Sequence, residues 1–284
     1  MTSHDVVARG RKIFGQPQVG HGGTLDPDAT GVLVLALGSA TRLLRFVADT
    51  TKRYHATIAF GVATDTLDAA GTVVGEVPMH FDRAELDAAV AGFVGPIEQV
   101  PPMVSALKVG GRRLHELARE GIEVERVPRA VTIHRFEVED FDALRATVLV
   151  ECSSGTYIRT LAADLGVALG GLAHVAELRR LAVGRFTIDD AHSLAAVEER
   201  GRDCVLPIAS ALQDLAHVTV DATTADKVAH GATLPAEFAG AATAPIAVCD
   251  ESGELLAVYE AWRAGVLKPS VVLAKPRPAV VTGE

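Results

Sequence analysis

Apolar positions recur along this chain with either helical or alternating spacing, and that pattern predicts its elements. Residues 4–14 have helical spacing with Ser3 as the N-cap, and the apolar run 32–37, which ends at Gly38, predicts a buried strand. The other elements predicted in the first third are a glycine-rich loop over 19–31, a helix over 40–48, a strand over 54–60 and a helix over 82–93.

The pattern changes near residue 206. Before it, the spacing predicts strands over 130–141 and 144–152, a helix over 157–169 and a strand over 174–183. After it come a helix over 223–230, a hairpin of 245–249 and 255–259 around a turn at 250–253, and a last strand over 271–274. We therefore predict an α+β domain over 1–206 and a small, mainly β domain over 207–284.

Composition narrows the class of protein. About half of the residues (49%) are hydrophobic and 22% are charged, so the chain can build a core. The three cysteines, Cys152, Cys204 and Cys249, match no zinc or redox spacing and fit a reduced, cytoplasmic protein. No apolar run has membrane length, and residues 1–5 lack the basic start of a signal peptide.

The net charge of −9 does not by itself suggest a nucleic-acid partner. Residues 1–185 carry 20 Lys and Arg against 22 Asp and Glu, whereas residues 186–260 carry 3 against 13. Because an RNA site depends on the local patch rather than on the sum, this acidic segment does not exclude an RNA site earlier in the chain.

The glycine-rich loop carries the most informative chemistry. Its sequence over 20–31 is GHGGTLDPDATG, and Pro27 biases Asp26 away from helix, which sets the carboxylate on a fixed turn. A carboxylate there can be a nucleophile, a general base, a metal ligand or a turn cap. His21 and Asp26 have no His or Cys cluster beside them, so we predict no metal site, and phosphate-loop, dinucleotide and deaminase motifs are absent.

A second candidate constellation is the sequence SSGTYIR over 153–159. If the chain is extended there, Tyr157 and Arg159 face the same way, and Arg159 can hold a carboxylate and favour its charged form. If a helix begins there instead, Ser154 or Thr156 caps it and Arg159 is solvated.

Basic residues form three groups. Lys52 and Arg53 precede Tyr54, which suits phosphate contact beside base stacking, although a Tyr at a strand start is also often simply buried. The proline-bounded segment 101–129 is either a basic insertion that grips RNA or a solvated helix with ion pairs to its interleaved Glu residues. The remaining candidates for RNA contact are Lys108, Arg112 and Arg113 in this insertion, and Arg179 and Arg180 further along.

Taken together, these segments resemble the TruB family of tRNA pseudouridine-55 synthases. The resemblance runs in order from residue 2 to about residue 185. It rests on the loop over 20–31, on KRY at 52–54, and on the motifs TDTLDAAG (64–71), PPMVSALK (101–108), GTYIR (155–159) and AHVAELRR (173–180). It implies the family's fold, an α+β pseudouridine-synthase fold with a mixed, mainly antiparallel central sheet flanked by helices, and a PUA-like RNA-binding module at the C-terminus.

The resemblance also implies a role for each matching position. Asp26 falls on the family's catalytic aspartate, and Arg159 falls on the arginine paired with it. The substrate positions are Tyr54, which stacks on the target base, Tyr157 beside it, His21, which helps displace the T-loop base, and Leu178, an apolar wall. Since the isomerisation is redox-neutral and hydrolyses nothing, no cofactor and no metal are expected. The implied partner is the T arm of tRNA, bound by a monomer.

Alternatives remain beside this hypothesis. An RNA-binding or tRNA-folding protein that acts without catalysis would need only the basic insertion and the PUA-like tail. A hydrolase using Asp26 and His21 would need a water-activating partner that the sequence does not offer. The family normally has a strand and a Lys-Pro motif before the segment matching residues 1–5, so either the start lies upstream or an edge strand that supports the pocket is missing.

Overall fold

The computed structural model describes residues 1–275. The helices are α1 (Ser3–Phe14), α2 (Leu44–Ala48), α3 (Arg83–Ala91), α4 (Leu114–Arg119), α5 (Ile158–Ala168), α6 (Leu194–Arg200) and α7 (Ala222–Ala229). The strands are β1 (Val19–His21), β2 (Thr30–Gly31), β3 (Leu35–Leu37), β4 (Lys52–Phe60), β5 (Val62–Thr64), β6 (Val73–Glu76), β7 (Gly95–Gln99), β8 (Lys108–Val109), β9 (Arg112–Arg113), β10 (Arg129–Asp142), β11 (Arg145–Cys152), β12 (Ala173–Val183), β13 (Phe186–Thr187), β14 (Ala216–Val220), β15 (Leu234–Pro235), β16 (Ile246–Asp250), β17 (Leu255–Arg263) and β18 (Val266–Val272).

One compact unit comprises Met1–Ala8, His21–Val34 and Ala48–Ala191 and is built on a seven-stranded sheet. The strand order is β13-β12-β4-β11-β10-β7, with antiparallel neighbours, while β2 pairs with β12 in parallel. Every second side chain of β4 and β11 is buried, and α3 and α5 pack against the sheet. The predicted mixed, mainly antiparallel sheet flanked by helices is confirmed.

The second compact unit comprises Arg9–Gly20, Leu35–Val47 and, among the described residues, 192–275. Its five-stranded sheet has the order β14-β16-β17-β18-β15, in which β14 and β16 are parallel and the other neighbours are antiparallel. Helix α7 packs on this sheet over a core that includes Ile246 and Tyr259. The mainly β character and the hairpin of β16 and β17 are confirmed, while the linear division at residue 206 stays a prediction.

Most predicted elements in both units are confirmed to within a few residues, among them β4, β10, β11, β12, α3 and α7. The segment predicted as a helix over 40–48 is a 3₁₀ helix, Gly38–Leu43, followed by α2. The last strand is longer and begins earlier than predicted, since β18 spans Val266–Val272.

Two predictions near the N-terminus are wrong. Ser3 is not the N-cap of α1, because Thr2 exchanges two hydrogen bonds with Asp5 and caps the helix instead. The run 32–37 is not one buried strand, because its ends pair with different partners. Val32 donates its N–H to the Arg180 carbonyl at 2.8 Å beside β12, whereas Leu35–Leu37 pairs with β1.

Candidate active site

Asp26 lies in the loop between β1 and β2, at a turn in which the Ala29 N–H donates to its carbonyl. About a third of its side chain (34%) is exposed to solvent. The loop returns to the sheet through Gly31, whose φ is +103°. A Cβ at Gly31 would lie 2.1 Å from the Arg180 carbonyl oxygen, so this close approach requires glycine.

Arg159 grips the Asp26 carboxylate with two parallel hydrogen bonds. Its Nε lies 2.9 Å from Oδ2, and its Nη2 lies 3.0 Å from Oδ1. This bidentate geometry fixes the direction of the carboxylate as well as its position. The predicted pairing of these two residues is therefore present in the structure.

The backbone of the 153–159 segment agrees with the helical interpretation, whereas the side chain of Arg159 agrees with the other interpretation, since it holds a carboxylate. Helix α5 begins at Ile158, so Tyr157 and Arg159 do not share a face of an extended chain. The helical interpretation was wrong about Arg159, whose side chain is only 5% exposed and is not solvated. Tyr157 occupies the N-cap position without a side-chain capping bond, so neither Ser154 nor Thr156 is that N-cap.

Arg159 also joins the Asp26 loop to two other segments. Its Nη1 donates to the Thr66 carbonyl at 2.8 Å, and its Nη2 donates to the Val104 carbonyl at 2.9 Å. Asp68 lies beside it, with Oδ2 3.5 Å from Nη1, and is oriented by hydrogen bonds from the Thr66 hydroxyl and the Ala70 N–H. Asp68 was not among the residues predicted for the site, although its place as an acidic residue in the 64–71 motif was the available signal.

Opposing effects act on the protonation of Asp26. Burial raises the pKa of Asp26 above its ordinary value, and the nearby charge of Asp68 raises it further. Arg159 lowers the pKa of Asp26, and Arg180 does so more weakly, but burial outweighs both. Arg159 therefore favours the charged form of Asp26, as expected, but desolvation disfavours that form more strongly.

The other residues implied for the pocket take distinct positions. Tyr54, on β4, is 9% exposed, and burial raises the pKa of its hydroxyl, which is hydrogen-bonded with Arg180. Tyr157 is half-buried, and its backbone N–H and carbonyl are both held by the amide of Gln99, at 2.9 and 3.3 Å. Leu178 is partly buried against the core of the central sheet.

His21 ends β1 and accepts a hydrogen bond at Nδ1 from the Gly23 N–H at 3.3 Å. Burial lowers the pKa of His21 below its ordinary value, and the positive charges of Arg180, His4 and Arg113 add to this effect. The structure therefore favours a neutral imidazole on the loop that carries Asp26.

The basic candidates divide into exposed and internal side chains. Lys108, Arg112, Arg113 and Arg179 are exposed, and Arg53 is half-buried. Lys52 is buried, with its ammonium bonded to the Ala48 and Thr50 carbonyls, and burial lowers its pKa to about 8. Arg180 is also buried, and its guanidinium binds backbone carbonyls. Both charged groups are buried and bind carbonyls inside the protein, so neither has the exposure that the expected contact with RNA requires.

Two further observations on the described residues concern metal binding and membrane-spanning helices. Within residues 1–275, no three His, Cys, Asp or Glu side chains come together as metal ligands would. No helix in the same range is both long enough and apolar enough to cross a membrane.

Comparison with known proteins identifies the class. The sequence model of the TruB family pseudouridylate synthase N-terminal domain matches residues 11–158, and that of the tRNA pseudouridylate synthase B C-terminal domain matches residues 159–213. These matches, which cover residues 11–213, define the class as pseudouridylate synthases. More particularly, the chain belongs to the TruB family.

Individual relatives and solved structures agree with this membership. The tRNA pseudouridine synthase B of Symbiobacterium thermophilum is 50% identical over 81% of this chain and 78% of its own length. That of Dechloromonas aromatica is 44% identical over 95% of this chain and 90% of its own length. A Cbf5-Nop10-Gar1 complex has a chain with a TM-score of 0.72 and 28% identity, matched over 93% of this chain and 76% of that one. An H/ACA RNP bound to a substrate RNA containing 2'-deoxyuridine gives a TM-score of 0.70 at 25% identity, over 98% and 82%.

Proposed function

We propose that this protein isomerises uridine 55 in the T loop of tRNA to pseudouridine, with Asp26 as its catalytic nucleophile. The coarser statement, a tRNA pseudouridine synthase and therefore an isomerase acting on tRNA, follows from family membership and from relatives of that name at 44–50% identity. The target uridine and the roles of individual residues are the finer part of the proposal.

The observation that carries the proposal is the bidentate contact between Arg159 and the accessible carboxylate of Asp26. A carboxylate that only caps a turn needs no buried arginine to orient it. Here Arg159, whose side chain is only 5% exposed, binds Asp26, whose side chain is 34% exposed. Such an arrangement presents a negatively charged oxygen pair to a ligand in a fixed direction.

The reaction needs a carboxylate of this kind. The bond between the base nitrogen and the ribose breaks, the base turns, and a carbon of the base bonds to the ribose instead. One proton leaves that carbon and one is taken up at the nitrogen, so there is no net oxidation. A carboxylate serves as the nucleophile at the sugar or at the base, or as the base that removes a sugar proton, and all these routes require its ionised form.

The surrounding side chains suit a flipped base. A uridine inside a folded RNA loop must leave its stack before its sugar bond can be reached. In our proposal it lies on the face of Tyr54, with Tyr157 beside it and Leu178 as an apolar wall. His21, on the same loop as Asp26, helps displace the base from the RNA. A neutral imidazole fits a role of contact and displacement better than one of charge pairing.

We assign contact with the RNA backbone to the exposed basic side chains. Those on the insertion are Lys108, Arg112 and Arg113, and those outside it are Arg53 and Arg179. Lys52 and Arg180 are not included, because their charged groups bind protein carbonyls. The tRNA T arm as partner, a monomeric state, a cytoplasmic location, and the lack of any cofactor or metal remain predictions.

The alternative of an RNA-binding or tRNA-folding protein without catalysis is not favoured. Binding alone gives no reason for the oriented carboxylate of Asp26, and the relatives carry the name of a synthase. Whether the protein also promotes tRNA folding is a separate question, which the Asp26→Asn variant described below can test.

The test is pseudouridine formation on an unmodified tRNA transcript labelled at the T-loop uridine, scored by nuclease digestion and chromatography. We expect Asp26→Asn to lose activity by about 10³-fold or more while keeping its fold and its RNA affinity. The matched control is Asp28→Asn, an exposed carboxylate two residues away in the same loop, which should stay within a few-fold of the unaltered protein. Product from the Asp26 variant would refute its role, and product only at another uridine would refute the T-loop assignment.

A further inference from the structure

Arg180 is a buried cation that points into the protein from β12, with 2% of its surface exposed. Its guanidinium donates to three backbone carbonyls: Nε to Val32 at 2.8 Å, Nη1 to Thr24 at 3.2 Å and Nη2 to Gly23 at 3.2 Å. A planar guanidinium has its donors in a fixed fork, so one side chain can hold several carbonyls at once.

These three carbonyls lie on both sides of Asp26 along the chain. Two belong to residues just before it and one to Val32, where the loop has returned to the sheet. The backbone of Arg180 closes the same loop, since its carbonyl accepts from the Val32 N–H at 2.8 Å and it pairs in register with Gly31. Arg180 therefore spans the whole turn on which the carboxylate sits.

A second contact holds the residue next to Asp26. The buried hydroxyl of Ser3 donates to the Leu25 carbonyl at 3.0 Å and accepts from the Leu25 N–H at 2.8 Å. With Ser3 on one residue and Arg180 on three, the loop has little freedom other than through a break in buried hydrogen bonds.

We propose that Arg180 is a positioning residue for the isomerisation, which holds the Asp26 loop in its reactive shape. This inference rests on the proposed role of Asp26 as nucleophile. It also places Arg180 outside the surface that we propose contacts RNA. Its sequence neighbour Arg179 belongs to that surface.

The charge of Arg180 acts on Asp26 together with the other groups that face this carboxylate. These groups are Arg159 on α5, Asp68 after β5 and Tyr54 on β4, while Arg180 itself lies on β12. Within residues 1–275 no carboxylate forms an ion pair with Arg180. Its charge is therefore not cancelled at close range, and it lowers the pKa values of Asp26, Tyr54 and His21 together.

Two variants separate the effect of Arg180 on the position of the loop from the effect of its charge. Arg180→Lys keeps the charge but cannot reproduce the three-carbonyl fork. We expect kcat to fall about 100-fold at saturating tRNA, with the acid side of the pH profile unmoved and RNA affinity unchanged. Arg180→Gln also removes the charge. Because the pKa of Asp26 then rises, activity should be lost at a higher pH as the solution is acidified, in addition to a larger fall in kcat.

The control is Arg135→Gln on β10, which removes an exposed arginine paired with Glu137, far along the sheet order from β12. It should leave kcat and the pH profile unchanged. Melting temperatures and circular dichroism are recorded for every variant. If Arg180→Gln fails to fold, Arg180→Lys decides alone.

The opposite pattern would overturn the inference. If Arg180 contacts phosphate, either variant weakens RNA binding and lowers the salt dependence of affinity by about one phosphate contact, while kcat at saturation stays intact. Wild-type kcat in Arg180→Lys, with Asp26→Asn inactive, would refute the positioning role alone. An active Asp26→Asn would instead refute the proposed function on which it rests.

Discussion

Two irregular segments of the same unit both reach Arg159, and they are built in opposite ways. The loop around Asp26 is fixed by buried groups: Ser3 holds Leu25, Arg180 holds three carbonyls and Arg159 holds the carboxylate. The insertion over 101–129 contacts Arg159 through the carbonyl of Val104, and it presents exposed basic side chains at Lys108, Arg112 and Arg113. Its hairpin of β8 and β9 and the short α4 are solvated on their charged side.

The difference reflects what each segment must do. A reacting carboxylate must be in position before the substrate arrives, because misplacement by about 1 Å can cost 100-fold in rate. Charges that meet an RNA backbone act through the solvent, are screened by salt and tolerate adjustment of their side chains. We therefore expect changes in the loop to alter kcat and changes in the insertion to alter affinity, and the following predictions test that division.

The largest effect is expected for Arg159, the residue that joins the two segments. Arg159→Met leaves Asp26 without its bidentate partner and leaves the Thr66 and Val104 carbonyls without their donor. We expect kcat/KM to fall by roughly 10² to 10³-fold, because the reacting carboxylate is no longer held in position. Single-turnover rates and tRNA affinity measured on the same preparation show which quantity falls.

Arg159→Lys serves as its companion variant. It retains a positive charge beside Asp26 but loses the fork, so its rate should lie between those of the unaltered protein and the Met variant. Equal rates for Lys and Arg at this position would mean that charge alone matters and that the orientation of the carboxylate does not.

The next effect comes from the glycines of the two segments. Gly31→Ala puts a Cβ 2.1 Å from the Arg180 carbonyl oxygen at a φ of +103°, so the loop must move. We expect kcat to fall about 100-fold, with a lower melting temperature. Gly121→Ala in the insertion also has a positive φ, +72°, but meets no atom within 4 Å, so it should cost only about 1 kcal/mol of local strain.

Activity assays and thermal melts on this pair of glycine variants isolate the close approach from the strain of positive φ. Similar losses of kcat in both would contradict the contrast between a fixed loop and an adjustable insertion.

A smaller effect with a defined sign is expected for Asp68. Asp68→Asn keeps an oxygen near Arg159 and toward Thr66, but it removes the negative charge that raises the pKa of Asp26. The pKa of Asp26 should fall, so the acid side of the pH profile should move to lower pH, opposite to Arg180→Gln. We also expect kcat to fall about tenfold, because Arg159 is less firmly held.

The control for Asp68 is Asp65→Asn in the same segment, where the carboxylate accepts from the Thr72 N–H. It should leave the acid side of the profile in place. A shift of the Asp68→Asn profile toward higher pH would show that its effect on Asp26 runs through Arg159 rather than through its own charge.

Much of this arrangement was predictable from the sequence, and the failures have a physical cause. The alternation of apolar residues predicted β4 and β11, and the motif resemblance paired Asp26 with Arg159. The direction of Arg180 was not predictable, because β12 carries an irregularity between Val175 and Glu177. Ala173 and Val175 are buried before it, whereas Arg180 is the next buried residue after it, so extrapolation along the strand would have turned Arg179 inward instead.

Other failures arise because capping and burial depend on where the fold places the hydrogen-bond partners of a side chain. Ser3 matched the preference for an N-cap, yet its hydroxyl is used 22 residues away on Leu25, while Thr2 caps α1. Lys52 begins a strand next to a tyrosine, and only the positions of the Ala48 and Thr50 carbonyls decide that its ammonium turns inward. Local propensity predicts the helices and strands, and the hydrogen-bond partners that the fold supplies determine where their side chains point.

The smallest expected effect concerns Arg112 and Arg113 on the insertion. Replacing both with Gln should weaken tRNA binding several-fold and reduce the slope of log affinity against log salt by about 1 to 2, with kcat at saturating tRNA unchanged. Arg112 already forms an ion pair with Glu120, so part of its charge is engaged before RNA arrives. Glu120→Gln should therefore release Arg112 and tighten binding slightly, which filter binding across a salt series can measure. A fall in kcat for the double variant, with affinity intact, would mean that the insertion shapes the pocket through Val104 and would remove the division between the two segments.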